Sequence, residues 1–146
     1  MSHSIHNSIF FISGFAWAIA QILKVIINWA HTKKIDPKLL FSSGSMPSSH
    51  SAFVCSTATA IGLTDGFDSN LFALALVISL IVMYDAAGVR RAAGKQAAVI
   101  NIIVENIENQ GIKIDQRLKE LLGHSPIEVI SGAILGIFVA MIFLIK

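Results

Sequence analysis

Long apolar runs alternate with short polar segments along this chain. Four runs are apolar enough to form helices inside a membrane, and they cover residues 8–29, 49–64, 70–86 and 126–145. A membrane-spanning helix needs about 20 mostly apolar residues. The first and last runs meet that length, whereas the second is short and rich in Ser, Thr and Ala. We therefore expect the second helix to pack inside the protein rather than face lipid.

The segments between these runs predict how the helices are connected. A polar turn at residues 64–70 joins the second and third runs and predicts an antiparallel helical hairpin. In residues 89–122 the apolar positions Val99, Ile102 and Ile103 recur near the helical period. This pattern predicts a helical segment that either lies along the membrane interface or packs on the bundle.

The composition indicates that lipid, rather than water, surrounds this protein. Hydrophobic residues make up 54% of the 146 residues and charged residues 14%, whereas soluble domains carry roughly 25% charged residues. A chain of this length has room for one domain. We therefore predict one all-α integral membrane bundle over residues 1–146, with four spanning helices and the helical 89–122 segment. The net charge of +2 gives no support for a nucleic-acid partner.

The basic residues predict the orientation in the membrane. Lysines follow the first run, and six basic residues lie between the third and fourth runs, whereas the 64–70 turn carries two aspartates. Because cytoplasmic loops are enriched in Lys and Arg, both basic segments should be cytoplasmic and both termini outside. In a bacterium this would be the inner membrane, with the candidate site described below on the cytoplasmic side.

The first candidate for chemistry precedes the second apolar run. Residues 47–50 read Pro-Ser-Ser-His, which predicts a loop, a serine cap and the first turn of a helix. The N–H groups of a first helical turn attract anions. His50 would stand there, placed to bind a phosphate oxygen or to give a proton. A plain serine-capped helix with a surface histidine would have the same pattern.

The second candidate precedes the last run. His124 and Glu128 are four residues apart, so their side chains can meet on a helical turn. A carboxylate bonded to one imidazole nitrogen makes the other nitrogen a good nucleophile or base. The alternative is a capping box between Ser125 and Glu128, with Pro126 at the first helical position.

The third candidate follows the third run and contains Asp85, Arg90, Arg91 and Lys95. An acidic residue at a helix C-terminus opposes the helix dipole, so Asp85 needs another reason for its place. The basic residues would form a cationic patch, and arginine forks suit phosphate oxygens. An ordinary cytoplasmic loop with Asp85 paired to an arginine explains the same residues.

Lys24 is the fourth candidate because it lies within the first apolar run, near its inner end. A lysine in this position can extend its side chain to the interface. Charged residues inside a membrane are nevertheless functional candidates. Gln21 lies one turn earlier and can share the same helix face.

Together these clusters resemble the type 2 phosphatidic acid phosphatase superfamily, which includes bacterial acid phosphatases and vanadium haloperoxidases. That family carries Pro-Ser-Gly-His, and residues 47–50 read Pro-Ser-Ser-His. A later family motif ends in Gly-x-His-x-Pro-x-Asp-Val-x-x-Gly, and residues 123–132 read Gly-His-Ser-Pro-Ile-Glu-Val-Ile-Ser-Gly. The whole chain is similar to a short, divergent branch of the superfamily.

The resemblance implies a role for each candidate. His124 would be the nucleophile and carry a phosphohistidine, His50 would be the general acid, and Glu128 would orient His124. Lys24 and Arg90 or Arg91 would hold the phosphate, and no metal is needed. From the residues themselves, Lys95, Ser48 and Ser49 are further candidates to bind the phosphate, with Asp85 as a possible support. We expect a lipid phosphate or diphosphate as substrate, because a site at the membrane edge meets such head groups most often.

The chain departs from the family motifs at two basic positions. The family has Arg-Pro seven residues after its lysine, where this chain has His31-Thr32, and an arginine six residues before its nucleophile, where this chain has Leu118. Two alternatives therefore stay open. One is a protein that binds a lipid phosphate without hydrolysing it. The other is a scaffold in which Gly132 and Gly136 form a close-packing face of the last helix, which could also join two copies.

Overall fold

The computed structural model describes the backbone of residues 2–33, 45–108 and 125–145, and the side chains of these ranges except 2–7, 89–91 and 108. These residues form helices and contain no strand, so the predicted all-α bundle is confirmed. The predicted end of the 89–122 segment lies outside the described residues. The helices are α1 (Ser2–Thr32), α2 (Ser49–Asp65), α3 (Asn70–Tyr84), α4 (Arg90–Glu108) and α5 (Pro126–Leu144).

The outer surface of the bundle is apolar. Phe11 on α1, Ile81 on α3 and Ile134 on α5 are each more than 60% exposed. Soluble monomers rarely expose large continuous apolar patches. Three stretches are long and apolar enough to cross a membrane, namely Ser8–Thr32, Asn70–Ile107 and Pro126–Leu144. The protein is therefore an integral membrane bundle.

Helix α2 is the centre of the bundle and packs against α1, α3 and α5. It has 17 residues, and its buried side chains are mostly Ser and Ala. Small side chains let neighbouring helices approach closely inside a membrane. The interior position expected for this short helix is confirmed.

Two hydrogen bonds show how α1 and α2 run relative to each other. Thr57 on α2 donates to Ser13 on α1 over 2.8 Å, and Ser49 at the start of α2 is bonded to Lys24 near the end of α1. Helices α1 and α2 are therefore antiparallel. The beginning of α2 lies beside the C-terminal half of α1.

Helix α5 runs parallel to α2 and approaches it through two glycines. A Cβ on Gly132 would meet the Ser48 carbonyl oxygen, and one on Gly136 would meet the Ala52 carbonyl oxygen. The side chain of any other residue would push the helices apart. The two glycines therefore form a close-packing face of the last helix, and α2 covers it. A contact between copies through another face of α5 stays a prediction.

Helices α3 and α4 are joined by a π-helical turn, Asp85–Val89, without a break. The sequence predicted a change of structure near Gly88, and the helix instead continues through it. A π-helical turn widens the helix without ending it, and one glycine in a helix costs only about 1 kcal/mol. Among the described elements, α4 contacts mainly this turn.

Candidate functional site

The centre of the candidate site is a buried lysine. Lys24 is only 1% exposed, and its Nζ donates a hydrogen bond to Ser49 Oγ over 3.1 Å. Its side chain therefore does not extend to the interface, which was one of the two sequence interpretations. A buried ammonium needs compensating partners. This contact joins two of the clusters selected from the sequence, although they are 25 residues apart.

Ser48 begins α2 as the sequence predicted. Its Oγ accepts hydrogen bonds from the backbone N–H of Ser51 over 3.3 Å and from the Ser51 hydroxyl over 3.0 Å. Ser48, Ser49 and Ser51 are all buried. The hydroxyls at the beginning of α2 are therefore held inside the bundle rather than at its surface.

Helix α5 begins with the predicted capping box. Ser125 Oγ accepts from the Glu128 N–H over 3.4 Å, Glu128 Oε2 accepts from the Ser125 N–H over 3.1 Å, and Pro126 is the first helical residue. The backbone also joins the two helices, because the Ser48 N–H donates to the Glu128 carbonyl over 2.9 Å. Glu128 interacts electrostatically with Lys24.

We call the group Lys24, Ser48, Ser49 and Glu128 the polar end of the bundle. Parallel helices α2 and α5 both begin there, so their positive dipole ends lie together. Lys24 adds a full positive charge, and among these four residues only Glu128 carries a negative one. Such an arrangement attracts a further anion, and helix N-termini are well suited to phosphate.

His50 differs from its neighbours in exposure. It is exposed, whereas Ser49 and Ser51 are buried, and it lines a groove between α1, α2 and α3. The groove also contains Gly14 and Trp17 of α1. His50 directly follows Ser49 in the chain and therefore lies beside the polar end, where it lines this groove.

The basic cluster after α3 is only partly described. Asp85 begins the π-helical turn, which contacts α5, and Arg90 and Arg91 begin α4. The side chains of both arginines lie outside the described residues. Lys95 is exposed, and the described residues that line the groove beside it all belong to α4. The structure does not bring Lys95 together with Lys24.

His124 also lies outside the described residues. It is bonded in the chain to Ser125, whose backbone contacts the Glu128 carboxylate. Within the described part of the chain, no three His, Cys, Asp or Glu side chains are grouped to hold a metal ion.

Sequence reasoning missed two features of the site. The Ser51 hydroxyl donates a hydrogen bond to Ser48 Oγ, whereas the sequence indicated a role only for Ser48 and Ser49. Gly132 allows the contact between α5 and α2, although its spacing with Gly136 indicated only a close-packing face. The serine run and the glycine spacing were the available signals, and neither identifies its partner in the fold.

The chain is similar to proteins of one family. The profile of the family described as "Divergent PAP2 family" matches residues 5–139. The uncharacterized membrane protein YuiD of Bacillus subtilis (strain 168) is 43% identical over 134 residues, which cover 84% of this chain and 85% of that protein. No solved structure matches the chain.

Proposed function

This chain belongs to the divergent PAP2 family, and from that premise we propose that it is a membrane phosphohydrolase that removes phosphate from a lipid monoester or diphosphate. The observation that carries the proposal is the buried Lys24–Ser49 hydrogen bond at the start of two parallel helices. Burying a charge is costly unless it is compensated. A bound anion would interact favourably with the Lys24 ammonium, so an anion-binding site would explain why this charge is buried.

The proposed reaction has two steps. His124 attacks phosphorus, the bond between phosphorus and the ester oxygen breaks, and His50 donates a proton to the departing oxygen. His50 then takes a proton from water, which attacks the phosphohistidine and releases inorganic phosphate. Lys24 and the N–H groups at the beginning of α2 stabilise the charge on the phosphoryl oxygens.

The proposal places Arg90 and Arg91 near the same phosphate. They follow the π-helical turn, which contacts α5. Arginine can bind two phosphate oxygens at once. The excess of Lys and Arg in the two segments at this end of the bundle supports a cytoplasmic location for the site.

A second candidate is a protein that binds a lipid phosphate without hydrolysing it. One observation favours it: the Glu128 carboxylate accepts a hydrogen bond from the Ser125 backbone. In the hydrolytic proposal, the same carboxylate must also orient His124. The experiment below separates the two candidates.

Phosphate release by purified protein in detergent tests the proposal. The substrates are phosphatidic acid, phosphatidylglycerol phosphate and a prenyl diphosphate. We expect wild-type protein to release phosphate from at least one of them, and the variants His124→Ala, His50→Ala and Lys24→Met to lose that activity. Retained phosphate release in His124→Ala would contradict the proposed nucleophile.

Lys33→Met is the matched control for Lys24→Met. Lys33 is on the same stretch of chain but exposed, with its ammonium 5.9 Å from the centre of the Trp29 ring. We expect its loss to leave hydrolysis unchanged. Phosphate binding without release from any substrate, in folded wild-type protein, would favour the second candidate.

A further inference from the structure

A groove with one polar residue runs along the side of the bundle. It lies between α1, α2 and α3 and encloses about 450 Å³, within the range of about 300–1,000 Å³ that is typical of small-molecule sites. The residues that line it are Phe10, Gly14, Trp17, His50, Phe53, Val54 and Val82. Apart from His50, none of them carries a charged or hydroxyl group.

The groove begins at the polar end and continues into the apolar part of the bundle. His50 follows Ser49 in the chain, and Phe53 and Val54 lie one turn further along α2. On α1 the groove is lined from Phe10 to Trp17, a length of about 10 Å at 1.5 Å per residue. Among the described residues that line it, His50 is the only titratable one, and it lies at the end nearest Ser49.

We propose that this groove binds one hydrocarbon chain of the lipid phosphate substrate, with the phosphate at Lys24 and Ser49 and the ester oxygen beside His50. This inference rests on the proposed function. The general acid must reach the leaving oxygen, and in a phosphate monoester that oxygen is bonded to the first carbon of the lipid portion. The lipid portion must therefore leave the phosphate on the side of His50, which is where the groove lies.

A second apolar cavity of about 440 Å³ lies between α2, α3 and α5. Cys55, Met83 and Ile137 are among the residues that line it, and of the described candidate residues neither His50 nor Glu128 does. A chain bound there would have no contact with the proposed acid. Of these two cavities, we therefore assign the groove beside His50 to the hydrocarbon chain of the substrate.

Gly14 offers a way to fill the groove without disturbing the bundle. A Cβ built on Gly14 meets no atom within 4 Å. The variant Gly14→Phe therefore has room for its Cβ and extends an aromatic ring into the groove that Gly14 lines. Ala73→Phe is the matched control, because Ala73 is an exposed position on α3 that lines none of the cavities described here.

The first test compares long-chain and short-chain phosphatidic acid. In Gly14→Phe, the ratio of kcat/KM for the long chain to that for the short chain should fall at least about tenfold, the discrimination associated with lost apolar contacts. Ala73→Phe should keep the wild-type ratio. An unchanged ratio in Gly14→Phe would overturn the inference.

The second test does not depend on hydrolysis. Phosphatidic acid and phosphatidylcholine that carry a photoreactive diazirine on one acyl chain are crosslinked to His124→Ala protein in detergent. We expect phosphatidic acid to label Trp17 or Phe53, phosphatidylcholine to label them less, and Gly14→Phe to abolish the difference. Equal labelling by both lipids, or labelling confined to lipid-facing residues such as Phe11, would identify bulk lipid and overturn the inference.

The two tests separate the inference from the function on which it rests. Selective labelling of the groove without hydrolysis of any substrate would support the groove and reject the hydrolytic mechanism. Hydrolysis that depends on His124 without selective labelling of the groove would support the mechanism and reject the groove.

Discussion

The two ends of the bundle are built from opposite kinds of side chain. At one end Ile12, Ile61 and Val139 pack in an aliphatic cluster. At the other end Lys24 and Ser49 are equally buried. Aliphatic packing stabilises a membrane bundle directly, whereas a buried charged group costs free energy unless its partners compensate for it. From this difference we propose that the aliphatic end supports the fold and the polar end supports the function.

The largest expected effect comes from removing the charges at the polar end. In the double variant Lys24→Met/Glu128→Gln, kcat/KM for phosphate release should fall by about 10²–10³, the typical effect of losing one electrostatic contact to a transition state. The protein should remain at least as stable as wild type, because the double variant removes the cost of burying the Lys24 ammonium together with the charge on Glu128. Phosphate release and thermal unfolding in detergent measure the two quantities.

The single variant Lys24→Met gives the control for stability. It leaves Glu128 without the nearby ammonium, so its melting temperature should lie below that of the double variant. A double variant that keeps wild-type kcat/KM would show that the polar end is a structural feature only.

The aliphatic end should respond in the opposite way. Ile61→Ala removes a buried side chain from the cluster, and such changes lower the free energy of unfolding by about 2–5 kcal/mol. At a temperature where the variant is folded, its kcat/KM should equal that of wild type. A fall in kcat/KM of folded Ile61→Ala protein would contradict the proposal that the aliphatic end supports only the fold.

A smaller effect is expected at the contact that holds the polar end together. In Gly132→Ala the added methyl group meets the Ser48 carbonyl oxygen, and overpacking of this kind costs about 1–3 kcal/mol. Because Ser48 also bonds the Glu128 backbone, KM should rise as well. Gly88→Ala is the control, since its methyl group would meet no atom within 4 Å. Equal KM values in both variants would contradict this role of Gly132.

The smallest effect comes from two matched helix caps. Ser48 caps α2 at the polar end, and Ser69 caps α3 at the opposite end of the bundle. Replacing either serine by alanine should cost about 1 kcal/mol of stability. Only Ser48→Ala should weaken phosphate binding, which isothermal titration calorimetry can measure. Equal phosphate affinity in both variants would show that Ser48 does not contribute to the proposed phosphate site.

The local features of the site could be predicted from the sequence. The cap at Ser48, the capping box of Ser125 and Glu128, and the position of Pro126 all depend on residues within four positions of each other. Such short-range geometry follows from sequence spacing. The interior position of α2 was also predictable, because its length and composition do not suit a lipid-facing helix.

The contacts between helices could not be predicted in the same way. The Lys24–Ser49 hydrogen bond depends on how α1 and α2 align, and the approach of Gly132 to Ser48 depends on α5 running parallel to α2. One sequence carries no signal for either alignment. The direction of the His50 ring was likewise open, because it depends on which face of α2 meets α1.

The most direct test of the polar end is the thermal shift caused by inorganic phosphate. A ligand that binds only the folded protein raises its stability by RT ln(1 + [L]/Kd). We predict that phosphate raises the melting temperature of the wild-type protein in a concentration-dependent way and leaves that of Lys24→Met/Glu128→Gln unchanged. An equal phosphate-dependent shift in both proteins would contradict the claim that the buried lysine forms a phosphate site.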